Sequence, residues 1–173
     1  NESVSLCVTS PPYASNAIDY MRAHKFSLVW MGCPLSDLGQ RRREYIGGEV
    51  VKRVLLEELP EGASEVVKRI AACDTKKGLV LHNYYSEMTR GLREMFRVLK
   101  PGKAAIVVVG SSIMRDIDTE VETCLAEIGN AIGFEVPRIG VRSLDRDKRM
   151  LPSGSQPDLG SQIQQRMHKE YVI

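Results

Sequence analysis

Apolar residues recur along the chain with two alternating periods, and each change of period marks an element. Val4-Ser5-Leu6-Cys7-Val8 is rich in strand formers and stops at Ser10-Pro11-Pro12, which predicts a buried strand running into a loop. Tyr20, Phe26, Leu28, Val29 and Trp30 then predict a helix from Tyr20 to Met31, broken ahead of Pro34. From Leu38 to Lys77 the chain is densely charged, with apolar positions at Val51, Leu55, Val66 and Ile70. That pattern predicts two surface helices divided near Pro60-Glu61-Gly62. Tyr85, Met88, Leu92, Met95, Phe96 and Leu99 hold helical spacing up to Lys100-Pro101-Gly102, so an amphipathic helix with a firm stop is expected there.

The run Ala104-Ala105-Ile106-Val107-Val108-Val109 is continuously apolar and mostly β-branched, as in a parallel strand covered on both faces. Ile117, Val121, Cys124, Leu125, Ile128 and Ile132 predict a further helix, closed by Gly133 in the left-handed position that ends many helices. Phe134-Glu135-Val136 and Glu170-Tyr171-Val172-Ile173 read as strands, separated by the turn-rich segment Pro152-Ser153-Gly154-Ser155-Gln156-Pro157. Strands alternating with helices predict an α/β sheet.

Composition narrows the function classes only a little. The 173 residues are 43% hydrophobic and 27% charged, which fits one globular domain with a core. With 24 basic and 22 acidic residues the net charge is +2, so any nucleic-acid partner must be met by a local patch. Cys7, Cys33, Cys73 and Cys124 form no C-x-x-C pair, which argues against a zinc site or a disulfide framework and for a reducing, cytoplasmic setting. The longest apolar run is too short to span a bilayer and the first residues show no signal-peptide pattern, so membrane and secretory roles are not expected. The chain enters a strand almost at Asn1 and ends in Tyr171-Val172-Ile173, and both ends read as cuts.

The densest chemistry lies in Thr9-Ser10-Pro11-Pro12-Tyr13, at the carboxyl end of the first expected strand, where open α/β sheets bind ligands. Here the sequence resembles the amino-methyltransferase family, the N4-cytosine and N6-adenine DNA methyltransferases, whose catalytic loop has the form Ser/Asp/Asn-Pro-Pro-Tyr/Phe/Trp. The segment Ala17 to Phe26 is similar to the stretch just after that loop in one group of DNA methylases. Arg97-Val98-Leu99-Lys100-Pro101-Gly102-Lys103 with the apolar run behind it resembles a helix-turn-strand passage of methyltransferase domains. Arg149-Met150-Leu151-Pro152 and Arg166 to Val172 resemble the group's closing strands.

The resemblance implies a Rossmann-like fold dependent on S-adenosylmethionine, DNA as partner, and a place in restriction-modification. An exocyclic amine is a poor nucleophile, because its lone pair is delocalised into the ring, and it needs acceptors on its hydrogens. Ser10 and the Pro11 carbonyl would supply them, Pro12 would stiffen the loop, and Tyr13 would stack on a base swung out of the duplex. Asp19 and Tyr20 would line the base pocket; helix capping and packing are the structural alternatives. The Ser-first motif favours cytosine N4 over adenine N6. Carbon-5 methylation would want Pro-Cys, and the chain has only Cys33-Pro34.

One family hallmark is missing. No strand is followed by a Phe/Ala-x-Gly-x-Gly turn for the cofactor: Gly47-Gly48 falls in a charged helical stretch, and Gly154 to Gly160 opens no helix. The expectation is therefore a single partial catalytic domain over 1–173, the later half of the sheet, with a helical insertion at about 38–77. A half sheet exposes an edge and an apolar face, which predicts self-association or docking with the rest of the domain. A non-catalytic nucleic-acid-binding or assembly subunit, and an RNA-directed methyltransferase, stay open as alternatives. His24, His82 and His168 receive no role. Arg41-Arg42-Arg43 and Lys76-Lys77 read equally as phosphate contacts or solvated faces, with Arg146 to Arg149 a slightly better phosphate candidate. Gly110-Ser111-Ser112 lacks the Gly-x-Ser-x-Gly pattern of a hydrolase elbow.

Overall fold

The computed structural model describes residues 2–14, 20–47, 55–143 and 169–173, without the side chains of 20–23, 43 and 44. Strand β1 (Val4–Thr9) leads into the Ser-Pro-Pro-Tyr loop, followed by helix α1 (Tyr20–Trp30), a short 3-10 turn (Leu35–Asp37) and helix α2 (Leu38–Glu44). Helices α3 (Glu61–Cys73) and α4 (Thr75–Val98) precede strand β2 (Leu99–Gly110). A hairpin of β3 (Ile113–Met114) and β4 (Ile117–Asp118), helix α5 (Val121–Ile132), and strands β5 (Gly140–Ser143) and β6 (Lys169–Val172) complete the described elements.

The main sheet has the order β1-β2-β6-β5. β1 and β2 are parallel, and β6 lies antiparallel between β2 and β5, so β5 runs the same way as β1 and β2. The molecule is thus mixed α/β with a mixed sheet. Leu6 to Thr9 pair with Ala104 to Val107, which brings the carboxyl ends of β1 and β2 side by side. The Pro101-Gly102 stop resolves into a bulge. Val4 and Leu6 of β1 face Leu99 and Ala104 of β2, and Gly102 takes φ +68° where the extra residues leave the ladder.

The core lies on one side of the sheet, where α3, α4 and α5 meet Val107 and Val109. Ile70, Leu81, Tyr84, Tyr85, Met88, Val121 and Ile128 are fully or almost fully buried there. Asp74 starts α4 by accepting the Lys76 and Lys77 backbone N–H groups at 3.0 and 3.1 Å. Its other oxygen accepts from Arg115 in the hairpin turn at 2.6 and 2.8 Å. These contacts, the Arg115 guanidinium first among them, hold the Asp74 carboxyl below the ordinary carboxylate range. Across the core, Glu127 of α5 accepts the Ala63 N–H at the amino end of α3, a carboxylate placed where the helix dipole favours it.

Several expectations change against this fold. Strand β1 is not buried: it is an edge of the described sheet, with Leu6 54% and Val8 63% exposed. The face shared by Leu6, Val8, Ile106, Val108 and Val172 carries no described helix, so β2 is fully buried only on its Val107 and Val109 side. In the charged stretch α3 is no surface helix, because Ala63, Val66, Val67 and Ile70 are buried against α4 and α5. The next helix begins at Thr75, ten residues before the first apolar position that announced it. Ile117 belongs to the β3–β4 hairpin, because Arg115 and Asp116 both take positive φ in a two-residue turn and α5 starts only at Val121. Phe134-Glu135-Val136 forms no strand: Phe134 instead continues the Gly133 helix stop, bonding its N–H to Gly129 and meeting Phe96 edge-on at 5.0 Å, and β5 begins at Gly140. Strand β6 stands where the last strand was expected, whereas Arg149 to Pro152, Pro152 to Pro157 and Gly154 to Gly160 lie outside the described residues.

Candidate active site

The loop after β1 enters the body of the protein immediately. Ser10 is exposed at the strand end, Pro11 is buried, Pro12 and Tyr13 are half-buried, and Ala14 is buried. Two prolines fix φ across this turn, so the loop's course is set by the β1–β2 ladder behind it and by what it packs on ahead.

Two glycines make that packing close. A Cβ at Gly110, the last residue of β2, would lie 3.0 Å from Tyr13 Cζ and 3.1 Å from its Cε2. The Tyr13 ring therefore rests directly on backbone, against a position where any side chain would press on it. Gly47, with φ +80°, approaches from the other side: a Cβ there would lie 3.3 Å from the Tyr13 carbonyl oxygen and 3.8 Å from Pro12 Cβ. Gly47 is fixed in turn, since its N–H donates to Glu87 Oε2 of α4 at 3.0 Å. Helix α4 holds the flanking segment too. Arg90 donates to the Leu55 carbonyl at 3.0 Å, Ser86 Oγ accepts the Glu57 N–H at 3.0 Å, and Arg93 bonds the Glu57 carboxylate at 2.6 Å. The Arg93 hydrogen bond is the main reason the Glu57 carboxyl titrates below its usual range.

Beside the loop opens a mostly apolar cleft of about 550 Å³, lined by Pro12 of the loop, His24, Ser27, Leu28 and Met31 of α1, and Tyr45 and Ile46 after α2. Its size and lining suit a flat organic group. The structure thus brings the loop, one face of α1 and the turn after α2 together around a single opening.

Of the residues singled out in the sequence, Pro12 lines this cleft, while Ser10, Pro11 and Tyr13 are its neighbours in the loop and are not among the lining residues. Asp19 lies outside the described residues, and Tyr20 is described only as the first backbone position of α1. His82 is structural, its Nε2–H donating to the Glu57 carbonyl at 3.0 Å, and His168 and Arg146 to Arg149 lie outside the described residues. Sequence reasoning weighed His24, Gly47 and Gly110 and gave them no site role, and it did not single out Tyr45. Gly47 had a readable signal, a glycine just past a helix end. Gly110 had another, a glycine closing a β-branched run and marking close approach of backbone to a neighbour.

Among the described residues no three or more His, Cys, Asp or Glu side chains gather as a metal site, and no helix is long and apolar enough to cross a membrane. No protein-family model matches the chain, and no solved structure matches it. Curated relatives do. The type II methyltransferase M.MvaI of Kocuria varians is 22% identical over 138 residues, covering 74% of this chain and 30% of that protein. The type II methyltransferases M.AvaI of Nostoc sp. and Anabaena variabilis are each 27% identical over 150 residues, covering 76% of this chain and 31% of theirs. The chain spans about a third of the length of these relatives. It is a relative of the type II methyltransferases over about three quarters of its own length.

Proposed function

We propose that this chain carries the amine-orienting part of a DNA methyltransferase acting on an exocyclic base amine, with cytosine N4 favoured over adenine N6. The observation that carries the reading is the Ser10-Pro11-Pro12-Tyr13 loop, packed against Gly110 and Gly47 with its Pro12 lining an apolar cleft, in a relative of type II methyltransferases. In this reading Ser10 and the Pro11 carbonyl accept the amine hydrogens and draw the nitrogen toward tetrahedral geometry. Pro12 holds the carbonyls still, and Tyr13 stacks on the extruded base. Asp19 and Tyr20 join the base pocket. The His24 to Met31 face of α1, with Tyr45 and Ile46, closes the cleft around the rest of the ring.

The methyl donor would be S-adenosylmethionine, and among the described residues none forms the glycine turn that would hold it. No glycine among the described residues both follows a strand and opens a helix; Gly110 follows β2 but leads into a hairpin. We therefore assign no step at the donor to this chain. The fold we propose is the later half of a Rossmann-like sheet, in which further strands continue across the β1 edge and their connecting helices cover the Leu6 and Val8 face. The 38–77 stretch is then a helical insertion in which Tyr45 and Ile46 build one wall of the cleft and α3 packs into the core.

Incubating the full-length protein, in which this chain stands beside the rest of its catalytic domain, with tritiated S-adenosylmethionine and unmethylated genomic DNA, then separating the hydrolysed bases, tests the proposal. Label in N4-methylcytosine or N6-methyladenine that Ser10→Ala abolishes, with DNA binding kept, is the expected result. The missing glycine turn favours a second reading, a non-catalytic DNA-binding or assembly subunit. Calorimetry showing no S-adenosylmethionine binding, with DNA binding but no transfer, would select it.

A further inference from the structure

The cleft uses only one side of α1. On the opposite side Phe26 and Trp30, one helical turn apart, are 76% and 92% exposed. Lys25 places its Nζ 5.0 Å from the centroid of the Phe26 ring. Two large aromatic side chains held in water on a short helix mark a contact surface, because water is the poorest solvent for them.

Charge identifies the partner. Helix α1 contains no acidic residue. Residues 20–44 hold five basic side chains, Arg22, Lys25, Arg41, Arg42 and Arg43, against Asp37 and Glu44. This segment is therefore net +3 in a chain whose total is +2, so the remaining residues are net negative. Along the sequence, positive charge is concentrated in the segment that carries the exposed aromatic rings, and Arg41 of α2 is itself exposed. Aromatic faces on a helix without carboxylates, in a segment with an excess of cations, suit a nucleic acid, whose bases stack on the rings while its phosphates meet the cations. A protein partner would need the rings but not the excess of positive charge.

We infer that the outer face of α1, with Phe26, Trp30 and Lys25 and supported by Arg41, is a DNA-contact surface on which Trp30 packs against bases unstacked beside the extruded nucleotide. The inference rests on the proposed action on DNA. It adds a second contact on the far side of α1 from the cleft, so the helix stands between the target base and the flanking strand.

Trp30 is the chain's only tryptophan, which makes it its own probe. Intrinsic fluorescence of the full chain is titrated with duplex and single-stranded oligonucleotides, alongside the anisotropy of labelled DNA. The free chain should emit as a water-exposed indole, and DNA should quench it along the same isotherm that anisotropy reports. Trp30→Ala should weaken binding roughly tenfold, the scale of one base–aromatic stack, with the circular dichroism unchanged and partial rescue by Trp30→Phe. Lys25→Ala and Arg41→Ala should each flatten the plot of log affinity against log salt by about one unit of slope. Binding by anisotropy with unaltered Trp30 emission, and unweakened binding by Trp30→Ala, overturns the inference and leaves the methyltransferase reading standing. A free chain whose Trp30 already emits as a buried indole, unmoved by DNA, also overturns it and shows that protein covers the face. Absence of both DNA binding and methyl transfer in the unaltered chain overturns the inference and the reading together.

Discussion

Replacing Gly110 by alanine separates the placing of Tyr13 from the stability of the fold. The added Cβ would sit 3.0 Å from Tyr13 Cζ. Carbon atoms in contact prefer about 3.5–4.0 Å, so the ring must give by a few tenths of an ångström. Tyr13 is half-buried and its ring can move outward, so the stability loss should stay near the low end of the roughly 1–3 kcal/mol typical of overpacking. Catalysis has less tolerance: a misplacement of about 1 Å at a reacting centre costs on the order of a hundredfold. A shift of a few tenths of an ångström is smaller than that, so we expect Gly110→Ala to lose up to about tenfold in methyl transfer while its melting midpoint changes little. A double-mutant cycle supplies the control, because in a Tyr13→Ala background the same alanine should cost nothing further in rate. Methyl transfer at the unaltered rate in Gly110→Ala, with Tyr13→Ala impaired, would refute the seating of Tyr13 by Gly110.

Gly78→Ala should behave in the opposite way. Its Cβ would lie 2.5 Å from Ala71 Cβ and 2.7 Å from Ala71 Cα where α3 crosses α4, and backbone cannot yield, so we expect about 3 kcal/mol of destabilisation in a urea titration with no specific loss of DNA binding by the folded fraction. Burial raises the Glu122 pKa above its ordinary value, and Asp118 and Glu120 add to the rise, so the fold favours the protonated acid. That contribution is fully present below the unfolded pKa of about 4 and is lost as pH rises through the higher folded value. Glu122→Gln should then be at least as stable as the unaltered chain at pH 7 and should show a flatter melting profile from pH 4 upward; a lower midpoint at pH 7 contradicts this. The open Leu6, Val8 and Val172 face should drive self-association at micromolar concentration, and a strictly monomeric mass by light scattering would count against it.

The alternation of periods made the element order legible because each element buries one stripe against the same core. Helix α5 shows how far local information reaches: Val121, Cys124, Leu125 and Ile128 are all buried, and Gly133 at φ +118° stops the helix where the sequence placed the stop. The failures share a cause. β-Branched residues at 104–109 state a strand preference but not how many faces will be covered, since that depends on what else lies against the sheet. The buried stripe of α4 in fact begins before Tyr85, at Val80, Leu81 and Tyr84, and its first turn, which carries Lys76 and Lys77, is marked instead by the Asp74 cap and by the contact of Gly78 with Ala71.

The same division runs through the site. Ser10-Pro11-Pro12-Tyr13 was legible because the chemistry is contiguous in sequence. The parts that hold it come from 34 residues later at Gly47 and 97 residues later at Gly110, and they act through having no side chain. Stiffness at the loop is therefore not a property of the prolines alone. The prolines limit φ, Gly110 fixes the ring, and Glu87 fixes Gly47, so the loop is held from the strand, the sheet end and the longest helix at once. A glycine past a helix end or closing a β-branched run marks a boundary in the sequence; it becomes a site residue only when the fold shows which atoms occupy the space its missing side chain leaves.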